Sequence, residues 1–304
     1  MNAIRRLASR SMIQSKKGYK LGSVDINKVE SISTSASLVL TAELSRWDDH
    51  IANKLKAADT TKWQPEVLQQ LIDVGFFELF PGCKELTEIS QFRGEPETKV
   101  VKYIKGRFGD FEKHRELKAK IMAIVHGREP PKWTFLATGV TEAIANVGHH
   151  AYPESATFND EDKNWYMGGS FNKQTRELRV VFYDQGISIP KSLPASTAKE
   201  KALDTVRKIT GFESLNGLHD ELLLKAAVEI DRTSTGEDDR GKGLHDLLNF
   251  IEQSGNGYIS ILSRKALYKL TLSASNKRIK TERLSNPIEG TLIIWKVTLD
   301  DSYR

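Results

Sequence analysis

Thr141-Glu-Ala-Ile-Ala-Asn-Val-Gly-His-His-Ala151 and, a little further on, Leu178-Arg-Val-Val-Phe-Tyr-Asp-Gln-Gly-Ile-Ser-Ile-Pro190 read as a helix and a strand of one α/β layer. In the first stretch Val140, Ile144, Val147 and Ala151 make an apolar stripe, while Glu142, Asn146 and His150 fall at steps of four on another face. Alone, such a polar stripe is the solvated side of a surface helix. The second stretch changes its meaning. An apolar strand runs straight into Asp184 and Gly186, and a carboxylate at a strand end followed by glycine sits in a crevice instead of on a face.

Two later stretches extend the pattern. Asp239-Arg-Gly-Lys-Gly-Leu244 precedes a helical spacing of Leu244, Leu247, Leu248 and Ile251 that stops near Gly255 and Gly257. Glycines at a helix start leave backbone N–H groups open to an anion, so Gly241 and Gly243 make a candidate phosphate cradle. A lone Gly-x-Gly is more often a plain turn, and this one gains weight only from its company. The last stretch, Gly290-Thr-Leu-Ile-Ile-Trp295, opens a late strand.

In this order and spacing the four boxes resemble the Bergerat fold of the GHKL superfamily of ATPases and kinases over residues 106–304, most closely the anti-sigma-factor serine kinases, whose first box is Glu-x-x-x-Asn-x-x-x-His. The resemblance implies an α+β sandwich: a mixed sheet with helices on one face, binding ATP with Mg²⁺. It implies Asp184 as acceptor for the adenine amino group, supported by Thr291, with Gly186 and Ile187 in the same turn. Gly241, Lys242, Gly243 and Leu244 would hold phosphates, with Arg240 or Lys242 adding charge. Asn146 would ligate Mg²⁺, which takes few protein ligands, and Glu142 would accept a proton from the attacking water or hydroxyl. One departure stands in the second box, where the usual second glycine is Ser188. Hydrolysis, phosphotransfer to a partner protein, or an ATP-gated interaction switch with slow or absent turnover all remain open.

Residues 191–240, between the adenine and phosphate boxes, are expected to form the ATP lid, with two helical patterns around Ala198–Ile209 and Leu218–Ile230. Gly106–His126 reads as a charged helix. His114 within it faintly resembles a histidine-kinase phospho-acceptor, without that box's proline.

Upstream, residues 21–105 read as a small α/β module: a strand at Ser23–Asn27, a helix from Ser35 to Lys56, a helix from Pro65 to Val74 and a short strand before Gly82. Val24–Ala36 and Leu71–Phe80 resemble a STAS domain. That family's phosphorylated serine lies in an Asp-Ser-Ser-Gly-like turn; Ser33-Thr34-Ser35-Ala36 has neither the Asp nor the Gly, so these serines are expected to cap the helix and not to be modified at Ser35.

The 304 residues carry a net charge of +5, but six basic groups and no acid lie in residues 1–20, leaving 39 basic against 40 acidic over the rest. Nucleic-acid binding is therefore not expected of the folded part. The basic start can be a transit peptide or a tether to an anionic surface, and is more often a flexible end. One cysteine, Cys83, excludes a disulfide scaffold, and no apolar run reaches the ~20 residues of a membrane helix. A cytoplasmic protein with a regulatory protein partner, and homodimerisation as an option, is the expectation.

Overall fold

The structure, a computed structural model, describes residues 26–50, 60–79, 96–153, 158, 163–195, 199–211, 214–215, 217–233, 243–274 and 276–301. The helices are α1 (Thr34–His50), α2 (Pro65–Asp73), α3 (Lys113–Ile124), α4 (Trp133–Asn146), the single turn α5 (Ile189–Ser192), α6 (Lys199–Thr210), α7 (Asp220–Thr233) and α8 (Gly243–Ser254). The strands are β1 (Thr98–Arg107), β2 (Asn164–Asn172), β3 (Glu177–Asp184), β4 (Gly257–Ser273) and β5 (Asn276–Thr298), in the sheet order β1-β2-β3-β5-β4. This is an α+β sandwich.

Every pairing in the sheet is antiparallel, where a mixed sheet was expected. For β2 and β3 connection length decides it: residues 173–176 join them, and a turn that short can only reverse the chain. Asn172 Oδ1 holds that turn by accepting Thr175 N–H at 2.8 Å.

Alternation along the strands sends side chains to two apolar layers. Phe171, Leu178, Val180, Phe182, Ile293 and Trp295 enter the main core, which α3, α4, α7 and α8 cover. Tyr166, Val181, Tyr183 and Leu292 point the other way, onto Leu38, Val39 and Ala42 of α1. Helices α3, α4, α7 and α8 thus share one face, as expected for residues 106–304, while α1 of the upstream segment covers the other, because β3 is apolar on both. Leu38 is 1% exposed, and truncating such a residue to Ala costs ~2–5 kcal/mol.

The start of α1 follows its expected capping. Ser33 Oγ accepts Ala36 N–H at 3.2 Å, and Thr34 Oγ1 donates to Ser170 Oγ on β2 at 3.0 Å. Helix α2 begins at Pro65 and ends before Gly75 at φ 83°, as read from the sequence. The strand expected before Gly82 is, over Phe76–Leu79, a 3₁₀ turn. Residues 23–25 and the continuation of α1 beyond residue 50 lie outside the described residues.

The charged helix expected from Gly106 starts only at Lys113, and Gly106 belongs to β1. Strand β1 pairs with β2 at the edge of the sheet, so the boundary expected at residues 105–106 falls inside a strand. No helix of the described residues is long and apolar enough to cross a membrane.

Candidate functional site

Asp184 ends β3, buried at 6% exposure, and stands opposite Thr291 in the β3–β5 ladder. Alternation puts Asp184 on the face of Phe182, the face covered by α4 and α8. Gly290, at φ 77°, lets the strands close here; a Cβ on it would lie 2.0 Å from the Asp184 carbonyl oxygen. Ser263 of β4 stands behind the pair. Its Oγ is 3.1 Å from Thr291 Oγ1 and accepts Ile189 N–H at 3.0 Å.

The chain after Asp184 folds back on itself. Asp184 Oδ1 accepts Gly186 N–H at 2.8 Å, and Ile187 N–H donates to the Ala151 carbonyl at 2.8 Å. The end of the first box therefore lies directly on the second. Ser188 takes φ 80° and ψ 154°, a region left almost wholly to glycine. The serine departs from the expected motif in identity while its backbone adopts a conformation natural to the missing glycine.

Glu142 and Asn146 lie one turn apart on α4, both partly exposed, above the buried stripe of Val140, Ile144, Val147 and Ala151. After Asn146 the helix widens to a π turn over Val147–Ala151, which carries His150. Gly148 in this turn receives the Phe108 ring, where a Cβ would overlap at 1.9 Å. The His150 imidazole is held below the ordinary histidine range, first by burial of the ring and then by neighbouring His149, although the residue as a whole is exposed. His114 uses Nδ1 on the Phe111 carbonyl at 2.6 Å, a local contact at the entry to α3.

Helix α8 begins at Gly243 and runs beside α4, with Gly139 so near that an added Cβ would lie 3.1 Å from the Asp246 carbonyl. Leu244 packs between the main core and the α6–α7 cluster. Gly241 and Lys242, with Asp239 and Arg240, lie outside the described residues. Of the expected lid, α6 and α7 are both helices, and α7 is built into the main core through Leu224 and Val228.

Three contributors escaped the sequence reading. Tyr152 Oη donates to the Asn164 carbonyl at 3.1 Å and accepts Gln185 N–H at 3.3 Å. Its phenol is pushed well above the usual range by burial and by the negative charge of Asp184, so it stays a neutral donor; the charge of Arg46, on α1, works against that rise. Ser263 is the second. The third is Glu43 of α1, which reaches the residues on both sides of Asp184 and is taken up below.

Among the described residues no group of three His, Cys, Asp or Glu side chains gathers as a metal cage. Compared with known protein families and with curated proteins, the chain matches none.

Proposed function

We propose that the chain binds ATP at the Asp184 turn in the manner of the GHKL superfamily and, with Mg²⁺, hydrolyses it or transfers its γ-phosphate to a protein partner. The observation that carries this reading is the buried Asp184–Thr291 pair at the end of β3, on the face covered by α4 and α8. A carboxylate there accepts a hydrogen bond from the adenine amino group and disfavours guanine, whose carbonyl at that position cannot donate. The turn Gly186–Ile187 lies along the base, Asn146 takes Mg²⁺, and the first turn of α8 at Gly243 and Leu244, preceded by Gly241 and Lys242, receives phosphates. Glu142 accepts the proton of the nucleophile, water in hydrolysis or a hydroxyl in transfer.

A switch with slow or absent turnover is favoured by a different observation. Helix α1 is hydrogen-bonded through Glu43 to the strand that carries Asp184, so occupancy of the site and docking of α1 can be linked. In either form the partner is a regulatory protein, with a second copy of the chain as an option, and the setting is the cytoplasm. Nucleic acid is not the partner of the folded part. Incubation with γ-labelled ATP and Mg²⁺ separates the outcomes. Free phosphate marks an ATPase, labelled partner a kinase, and bound but unchanged ATP the switch; no retention of ATP refutes all three.

A further inference from the structure

Glu43 is a carboxylate with 2% of its surface exposed, on the face of α1 pressed against the sheet. Burying a charge is unfavourable unless hydrogen bonds replace its hydration, and an apolar residue would serve packing equally well. Its bonds are therefore informative. Glu43 Oε1 lies 2.7 Å from Tyr183 Oη and accepts Gln185 Nε2–H at 3.0 Å. Gln185 Nε2 gives its other proton to the Ala42 carbonyl at 3.1 Å, so the amide is tied to α1 twice. Tyr183 Oη also lies 2.9 Å from the Glu289 carbonyl, next to Gly290 and Thr291. Tyr183 and Gln185 flank Asp184, and alternation turns them toward α1 while Asp184 faces the opposite layer. One carboxylate thus holds the two neighbours of Asp184 from behind.

We infer that Glu43 is a positioning residue through which the docking of α1 sets nucleotide affinity at the Asp184 turn. The part concerning nucleotide rests on the reading proposed above; the part concerning the turn does not. Removing the carboxylate leaves the Gln185 side chain held to α1 by the Ala42 carbonyl alone, lets the 185–188 backbone sample other conformations and misdirects Asp184. Linkage makes the coupling reciprocal: a bound nucleotide that fixes the turn must tighten α1 on the sheet.

The test uses the full chain, wild type and Glu43→Leu, which keeps the volume but removes the acceptor of both bonds, with Tyr183→Phe as a second variant that cuts the contact from the sheet side should the first fail to fold. Hydrogen exchange without nucleotide should accelerate at the Gly186 and Ile187 amides in the variants while α2 exchanges at the wild-type rate. Wild-type exchange at Gly186 and Ile187 in a folded variant overturns the inference, whether or not ATP binds. With ATP and Mg²⁺, affinity should fall about tenfold in Glu43→Leu. Nucleotide should slow exchange in α1 over residues 38–46 of the wild type, and less so in the variant. A merely structural Glu43 would lower the melting temperature without changing these two ligand-linked readouts. If the wild type fails to bind ATP, the functional reading falls while the exchange result still decides the positioning role.

Discussion

Asp184 and Thr291 face one another across the β3–β5 ladder, with Ser263 Oγ 3.1 Å from the threonine hydroxyl. The acid sits at the last rung of β3, where the strand gives way to a turn held by its own carboxylate, by Ala151 and by Tyr152. On the reading proposed above, the value of the Asp184 carboxylate lies in what it presents to a ligand.

Ser188→Gly should stabilise the protein. A non-glycine residue at φ 80° and ψ 154° carries ~1–3 kcal/mol of backbone strain, partly offset in the glycine variant by a more flexible unfolded chain. Denaturant unfolding should show a gain of about 1 kcal/mol with the denaturant slope unchanged. A loss of stability would mean that the Ser188 hydroxyl contributes more than its backbone costs.

Glu142 and Asn146 share a helix face but not a role. Glu142→Ala should keep nucleotide affinity and lose turnover, whereas Asn146→Ala should remove the Mg²⁺ dependence of binding. Parallel calorimetry and phosphate release, with and without Mg²⁺, separate the two. Phosphate release at the wild-type rate in Glu142→Ala would move the base elsewhere.

His150 should make the protein acid-sensitive. Its folded pKa lies below the unfolded value, so the unfolded chain takes up the proton first as pH falls. The contribution is complete above the unfolded pKa, about 6.5, and is lost as pH drops from there through the folded pKa. Melting temperatures of wild type and His150→Gln should therefore diverge in favour of the variant between about pH 7 and pH 5. A constant difference over that range would contradict the shift.

Lys199, Lys201, Arg207 and Lys208 are exposed on α6, while α7 is anchored in the core. Trypsin should cut first at these α6 sites, and a non-hydrolysable ATP analogue with Mg²⁺ should slow that cutting. Equal rates under confirmed binding would make α6 a constitutive part of the fold.

Helices α4, α6, α7 and α8 and strand β3 were legible because their apolar spacing matches their period. Strand β1 was hidden by a bulge. A register shift between Val101 and Ile104 sends both into the same core, and that three-residue step mimics a helix. The π turn was hidden for a different reason: nothing in Val147–Ala151 marks where i→i+4 hydrogen bonding becomes i→i+5. Glu43 had a signal that went unused. It shares a helical face with Val39, and an acid among apolar residues on one face calls for a partner. That partner, 142 residues away at Gln185, became visible only when α1 lay on the second face of the sheet.

Calorimetric titration of the full chain with ATP and with GTP, both with Mg²⁺, repeated on Asp184→Asn, tests the central claim most directly. ATP should bind and GTP should not, and the Asn variant, which keeps an oxygen for Gly186 N–H but loses the charge, should bind ATP more weakly by ~1.5–3 kcal/mol. Equal affinity for ATP in wild type and variant, or no discrimination between ATP and GTP, would remove Asp184 from the site and the ATP reading with it.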